Sequence, residues 1–195
     1  MYDPLFANIA RYVDLPEGCR ARITDCIRPL RVRRRQYVTQ PGWTSGSRNY
    51  VASGAFRSFF IAPDGKEHTL QLAVEDWFIS DFYSYITQTP GTLFIEALED
   101  GELWQLPHAD IERLCGECHA LSEYFRRTTE RAFAFSRMRV EANISLSAEE
   151  RYVAYLERYS NIAARVPQYV LASYLGMSAE FLSKIRARRA GVDRS

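Results

Sequence analysis

Between residues 40 and 107, apolar residues occur in short runs that are separated by turn-forming Gly, Pro and Asp residues. Phe56–Ile61 is one such run, and the turn Pro63-Asp64-Gly65 joins it to Glu67–Val74, which is the pattern of a β-hairpin. Several short strands at this spacing predict a small antiparallel barrel or jelly roll. Within the second run, we expect alternate apolar side chains to share one face: Leu70, Leu72 and Val74.

Helical spacing precedes and follows the strand region. Two short helices are predicted before residue 28, the second of them starting at Pro16. After the strands, the pattern predicts a short helix, His108–Leu114, and then one long helix, Glu117–Ile144. The capping box Ser147-Ala148-Glu149-Glu150 opens a further helix.

The long helix carries more apolar surface than one packing partner can cover. Its main seam repeats at alternating steps of four and three, while Phe133, Met138 and Val140 lie off that seam. We expect the seam to pack against its counterpart in a second copy, because two-fold homodimers are the commonest symmetric assembly. Packing within one chain is the alternative. The predicted dimer seam consists of Leu121, Phe125, Thr128, Ala132 and Phe135.

The segment Val166–Arg189 predicts a helix, a tight turn and a second helix. Pro167 fits the first turn of a helix, and Gly176 fits the positive φ that often ends one. Ser178 can then cap the second helix, because its hydroxyl accepts from a free backbone N–H. The inner side of that helix is expected to contain Phe181, Leu182 and Ile185.

The outer side of the second helix has the chemistry of a DNA reader. Between Ser178 and Ala190 it carries four cations and a single carboxylate, Glu180. Cations neutralise phosphates, and a carboxylate near the start of a recognition helix can accept from a cytosine amino group. A solvated basic surface helix is the alternative. The cations are Lys184, Arg186, Arg188 and Arg189.

Composition limits the classes of protein that remain. The 195 residues carry a net charge of only +1, so any attraction to nucleic acid must be local. No apolar run approaches 20 residues and the first residues do not form a signal peptide, so we expect no membrane span and a cytoplasmic location. His68 is the only histidine in the strand region, and neither a P-loop nor a nucleophile elbow occurs. We therefore expect no catalysis, no metal and no cofactor.

The four cysteines allow several interpretations. Cys19 and Cys26 lie seven apart on the inner face of a predicted helix, where free cysteines often serve as small apolar residues. The segment Cys115-Gly116-Glu117-Cys118-His119 matches the motif of covalent c-type haem attachment, which requires an exported protein. With no export signal, we interpret the match as chance. Thiol redox sensing or metal binding by Cys115 and Cys118 stays open.

The order of a β-roll, a long helix and a helix-turn-helix resembles the Crp/Fnr family of bacterial transcription factors. The resemblance is most specific in Tyr50–Arg57, in Asp64–Glu67 with the following Leu70–Leu72, and in Val166–Ile185. It implies an α+β fold: an N-terminal β-roll (a double-stranded β-helix or jelly roll of the cyclic-nucleotide-binding type), a long dimerisation helix and a C-terminal helix-turn-helix domain. The implied domains are residues 1–116, 117–144 and 145–195.

The resemblance also implies site residues and partners. Two side chains near the start of the recognition helix, Glu180 and Lys184, would read bases. The partners would be double-stranded DNA with a palindromic operator and a second copy of the chain, while RNA polymerase and an unidentified small-molecule effector stay open. The other residues expected at the DNA are Ala179 and Ser183 on the same face, and Arg186 and Arg188 at phosphates.

One departure from the family concerns the ligand. Members that bind cyclic nucleotide hold the phosphate with Gly-Glu, a short helix and Arg-Ser or Arg-Thr. The corresponding stretch here, Glu75–Thr92, has three carboxylates and no Arg or Lys. We therefore expect no tight binding of cyclic AMP, and either a more apolar ligand or none. The residues expected around this degenerate pocket are Glu75, Asp76, Trp77, Ser80, Asp81, Tyr83 and Thr92.

Together these features predict a homodimeric, sequence-specific DNA-binding regulator that does not respond to cyclic AMP. The alternative is a sensor or interaction protein, which binds a non-nucleotide ligand or a partner through the cyclic-nucleotide-binding-like domain without reading specific DNA.

Overall fold

The computed structural model describes residues 2–192, and these form an α+β fold with eight strands and eight helices. The strands are β1 Arg28–Val32, β2 Tyr37–Thr39, β3 Ser47–Ser53, β4 Phe56–Ile61, β5 Glu67–Ala73, β6 Phe78–Ile79, β7 Phe94–Ala97 and β8 Gly101–Pro107. They form two four-stranded antiparallel sheets with the orders β1-β8-β3-β6 and β2-β7-β4-β5. The predicted hairpin is the pair β4 and β5, and the predicted β-roll is confirmed.

Two helices precede the strands in the chain, one short helix lies between β6 and β7, and five follow β8. They are α1 Asp3–Ala10, α2 Glu17–Cys26, α3 Phe82–Thr87, α4 His108–Glu117, α5 His119–Ser145, α6 Ala148–Arg165, α7 Gln168–Tyr174 and α8 Ala179–Val192. The predicted capping box starts α6: the Ser147 hydroxyl accepts from the Glu150 N–H at 3.3 Å, and the Glu150 carboxylate accepts from the Ser147 N–H at 2.8 Å.

Three apolar cores hold these elements together. The first fills the space between the two sheets, around Phe56 and Leu103. The second lies on the outer face of the first sheet, where Tyr50 packs under α1, α2, α4 and the start of α5. The third joins the edge of the second sheet to the last three helices, so the β-roll and the C-terminal helices share one core. Its members include Leu72, Val74, Leu98, Val170, Leu171, Leu182 and Ile185.

The alternation predicted for β5 is wrong at Leu70. Strand β4 pairs with Thr69 and Gln71 but has no partner for the residue between them, so Leu70 bulges out of the ladder. The bulge leaves Leu70 40% exposed and buries Thr69. The rest of the predicted apolar face is buried as expected: Leu72 and Val74.

Cys19 is not a free thiol, in contrast to the interpretation from helical spacing. It forms a disulfide with Cys118, which joins α2 to the residue between α4 and α5. Cys26 is free and buried as predicted, and Cys115 is free and partly buried. The two cysteines of the haem-like motif therefore differ in chemistry, because only one of them keeps its thiol.

Reduction of the Cys19–Cys118 disulfide is expected to lower the free energy of unfolding by about 4–5 kcal/mol, because a cross-link over about 100 residues strongly restricts the unfolded chain. Its two cysteines are separated by 99 positions. Urea unfolding with and without reductant measures the difference. Cys115→Ala should keep the full effect of reductant, and the double variant Cys19→Ala, Cys118→Ala should abolish it. Identical curves for the native protein under both conditions would contradict the assignment.

Candidate nucleic-acid interface and ligand pocket

Helices α7 and α8 are joined by a tight turn. The Met177 N–H donates to the Ala172 carbonyl at 3.0 Å, and Gly176, at φ 70°, takes the left-handed conformation after α7. Ser178 caps α8, because its hydroxyl accepts from the Phe181 N–H at 3.1 Å. The inner side of α8 packs into the shared third core through Leu182 and Ile185.

The outer side of α8 is open to solvent. Ala179 is partly buried, and its carbonyl accepts from the Gln168 side chain at 3.1 Å. Phe181, predicted on the inner side, is exposed, because the core contact falls one residue later, on Leu182. The other five residues expected at DNA are exposed: Glu180, Ser183, Lys184, Arg186 and Arg188.

The charged groups of this face have weak partners within the chain. Arg186 Nη1 lies 3.5 Å from Gln168 Oε1, and Arg188 Nη2 lies 3.4 Å from the Glu149 carboxylate. Exposed contacts of this kind contribute little to stability and exchange easily for phosphate. Hydrogen bonds with its own backbone N–H and with Ser178 lower the pKa of Glu180, so this acceptor is ionised at neutral pH.

In the degenerate pocket, a carboxylate of the chain occupies the backbone donors. Asp81 is 2% exposed. Its Oδ2 accepts from the N–H groups of Thr92 at 3.1 Å and Leu93 at 3.2 Å, and its Oδ1 accepts from the Ser84 N–H at 3.2 Å. A Cβ on Gly91 would lie 2.3 Å from Oδ2, so only glycine fits this close approach. Asp81 thus caps α3 and ties it to the segment before β7.

The other residues expected around the pocket contact different parts of the chain. Asp76 accepts from the Tyr50 hydroxyl at 2.5 Å and pairs with Arg11 at 2.9 Å. Glu75 faces the C-terminal helices and pairs with Arg165 at 2.7 Å. The remaining three are dispersed: Ser80 bonds to the backbone of β3, Trp77 lies edge-on against Tyr159, and Tyr83 is largely exposed.

The predicted dimer seam on α5 is divided between two environments. Leu121 and Phe125 are buried in the second core of the same chain, so they do not offer a surface to a second copy. Thr128 and Phe135 are partly buried and Ala132 is exposed. The later half of α5 exposes a different apolar set, which sequence spacing placed off the seam or did not include: Phe133 at 66%, Met138, Val140 and Ile144 at 83%.

Two contacts that the sequence did not indicate fix the C-terminal helices on the β-roll. Arg165, at the end of α6, pairs with Glu75 at 2.7 Å and with Glu99 at 2.6 Å. The Ser173 hydroxyl in α7 accepts from the Thr69 N–H and donates to the Glu67 carbonyl of β5, each at 2.9 Å. Partners 66 to 106 residues apart leave no local pattern by which they could have been found.

Residues 29–118 match the family model of the cyclic nucleotide-binding domain. Among solved structures, the chain is similar to FixK2 from Bradyrhizobium japonicum, with a TM-score of 0.77 and 14% identity over 86% of each chain. It is also similar to a transcriptional regulator of the Crp/Fnr family from Eubacterium rectale, with a TM-score of 0.71 and 18% identity over 92% of this chain and 85% of that one. The chain has the Crp/Fnr fold.

A third structure with the Crp/Fnr fold supports the same conclusion. The c-di-GMP responsive global regulator CLP from Xanthomonas campestris gives a TM-score of 0.71 and 18% identity over 91% of this chain and 93% of that one. No curated protein sequence matches the chain. Within residues 2–192 of this Crp/Fnr fold, no helix is long and apolar enough to cross a membrane, and no group of three or more His, Cys, Asp or Glu residues is placed to hold a metal ion.

Arg165 is expected to make stability depend on pH between about 4.5 and 2. Its hydrogen bonds lower the pKa of Glu75 from 4.5 to about 2, so the contribution is fully present above pH 4.5 and is lost as the pH falls toward 2. Urea unfolding measured across this pH range should show that the free energy of unfolding falls less steeply with decreasing pH in Arg165→Met than in the native protein. Arg31→Met removes an exposed arginine that lies 3.4 Å from Glu102, and it should keep the native slope. If the free energy of unfolding of Arg165→Met fell with pH as steeply as that of the native protein, this role of Arg165 would be contradicted.

Proposed function

We propose that the chain is a homodimeric transcription regulator that binds specific DNA through α8. The Crp/Fnr fold supports the general class of transcription regulator. The observation that carries DNA reading is the exposed outer face of α8, the second helix of a helix-turn-helix, where two arginines with weak partners follow the exposed residues at its start. In that motif, the N-terminal residues of the second helix contact base edges in the major groove.

Each exposed residue of α8 has a distinct proposed role. Glu180 and Lys184 lie one turn apart at the start of the helix, and they read base edges as acceptor and donor. Ser183 lies between them and Ala179 allows close approach to the groove. Arg186 and Arg188 follow further along and contact phosphates, for which they exchange their weak partners Gln168 and Glu149.

The proposed dimer forms through the later half of α5. Phe133, Val140 and Ile144 are exposed and lie seven and four positions apart, on one side of this half, and an exposed apolar helix surface marks an interaction site. Two such helices packed about a two-fold axis would hold both copies of α8 in a fixed relation, because α6 begins three residues after α5 ends. That geometry suits a palindromic operator with half-sites one helical turn apart.

We assign a separate function to each of the three domains predicted from the sequence. Residues 1–116 form the sensor-like part, residues 117–144 the dimer helix and residues 145–195 the DNA-binding part. Packing crosses these functional boundaries, since the third core contains residues of the first and last parts. A bacterial transcription regulator binds chromosomal DNA in the cytoplasm, so the proposed location of the protein is the cytoplasm.

The same proposal includes no response to cyclic AMP. A cyclic phosphate needs backbone N–H donors and a guanidinium. Here the N–H groups of Ser84, Thr92 and Leu93 already donate to Asp81, and the stretch Glu75–Thr92 contains no arginine or lysine. An entering phosphate would have to displace a buried carboxylate and would meet its charge.

Selection from random duplex DNA, with the mass in solution recorded, should enrich a palindrome bound by a dimer. Glu180→Ala and Lys184→Ala should each relax the base preference at one position, with a loss of about 1–3 kcal/mol for the preferred site. Arg188→Ala should instead lower the affinity for all DNA sequences alike, and it should reduce the slope of log affinity against log salt concentration by about one. Lys66→Ala removes an exposed lysine on the β4–β5 turn and should leave selection unchanged.

An unselective, strongly salt-dependent binding in this experiment would favour the alternative, a sensor or interaction protein that does not read specific DNA. Unchanged selectivity in both Glu180→Ala and Lys184→Ala would contradict the residue roles even if a palindrome is enriched.

Calorimetric titration with cyclic AMP or cyclic GMP should give no saturable heat, because the backbone donors that would bind the phosphate are engaged by Asp81. The DNA preference should also be the same with and without either nucleotide. Saturable binding near one nucleotide per chain would overturn this part of the proposal.

A further inference from the structure

Arg48 lies beneath helices α3 and α5 in an unusual environment for a cation. It belongs to β3, on the face of the first sheet that carries Tyr50 and the second core. Its guanidinium carbon lies 4.3 Å from the ring centroid of Phe125 in α5. The rings of Tyr85 and Phe82 in α3 follow at 4.8 Å and 5.2 Å. Three aromatic rings from two helices therefore surround one positive charge.

No carboxylate within residues 2–192 pairs with Arg48. Its Nε is buried and has no hydrogen-bond partner there. Arg57, another arginine of the β-roll that lies over aromatic rings, does have carboxylate partners. It pairs with Glu96 at 2.6 Å and with Glu67 at 2.7 Å. Arg48 as a whole is partly buried, but its Nε is withdrawn from water, and buried polar groups normally have a hydrogen-bond partner.

A second donor without a partner lies at the same place. Tyr85 is 1% exposed, and its hydroxyl lies beside the Arg48 side chain but has no partner with hydrogen-bond geometry in the described part of the chain. Burial raises the pKa of Tyr85 and outweighs the opposite effect of nearby Arg48, so the hydroxyl keeps its proton at neutral pH. The ring is held edge-on against His108 at 4.8 Å, which fixes the direction of the hydroxyl. Native structures rarely leave such groups unsatisfied.

We propose that Arg48 and the Tyr85 hydroxyl bind a small organic anion between α3 and α5. Its acidic group would accept from both donors, and the rings of Phe82 and Phe125 favour a flat apolar body. The site is separate from the degenerate pocket, since Asp81 is held by backbone N–H groups and pairs with neither donor. The proposal that an anion binds here is independent of the proposed function, whereas the proposal that this anion is the effector of a regulator rests on that function.

Thermal unfolding without any ligand gives the first test. Arg48→Met keeps the length and the ring contacts but removes an unpaired charge, so it should raise the melting temperature by a few degrees. Arg57→Met should lower it, because it leaves buried Glu96 without its cation. A melting temperature that falls in Arg48→Met would show that Arg48 is a structural element, and the proposal would be overturned.

Titration calorimetry with benzoate and phenyl phosphate gives the second test. One of these probes should bind saturably at one per chain to the native protein, with benzamide, the neutral analogue, at least tenfold weaker. Arg48→Met should weaken that binding at least tenfold, and Tyr85→Phe should weaken it less. Arg31→Met, which removes an exposed arginine, should bind like the native protein.

Absence of saturable binding by both anions, or binding that Arg48→Met leaves intact, would overturn the proposal. These measurements use the free chain, so their result does not depend on whether DNA selection succeeds. Anion binding together with failed DNA selection would keep the site and reject only its role as an effector site.

Discussion

The open edge of strand β5 determines where the helix-turn-helix lies. β5 is the last strand of its sheet, so the backbone groups on its outer side need partners from elsewhere in the chain. Ser173 of α7 satisfies the N–H of Thr69 and the carbonyl of Glu67 with a single hydroxyl. Arg139 of α5 donates to the carbonyls of Thr69 and Leu70. One strand edge thus positions both the long helix and the helix-turn-helix.

Arg57 and Asp81 of the β-roll are buried, Arg48 is partly buried, and the three charges differ in their partners. Arg57 is neutralised by Glu96 and Glu67, which is the ordinary structural solution. Asp81 is satisfied by backbone N–H groups, so its buried carboxylate needs no cation. Arg48 has neither kind of partner. A residue that departs from the rule obeyed by its neighbours is where a function is to be sought.

Local signals in the sequence predicted the helices, the β4–β5 hairpin, the capping box at Ser147 and the turn at Gly176, because each depends on residues within a few positions of one another. Features set by distant partners were missed. The bulge at Leu70 depends on the register with β4, and the disulfide of Cys19 joins positions 99 apart. Helical spacing also gave the right helix for α5 but the wrong exposed face, since the second core covers Phe125.

The apolar packing of the chain indicates which parts of the structure can move at low cost when a ligand binds. Separating the helix-turn-helix from the β-roll would expose Leu72, Val74 and Leu98 to water and leave the Glu75 and Glu99 carboxylates without Arg165. The later half of α5 is exposed on its apolar side, so in the proposed dimer a change in how the two copies pack there would cost less free energy than a change inside one copy. Because Phe125 near the start of α5 contacts the Arg48 side chain, a ligand bound there would, in the proposed dimer, act at the start of α5 and alter the spacing of the two α8 helices.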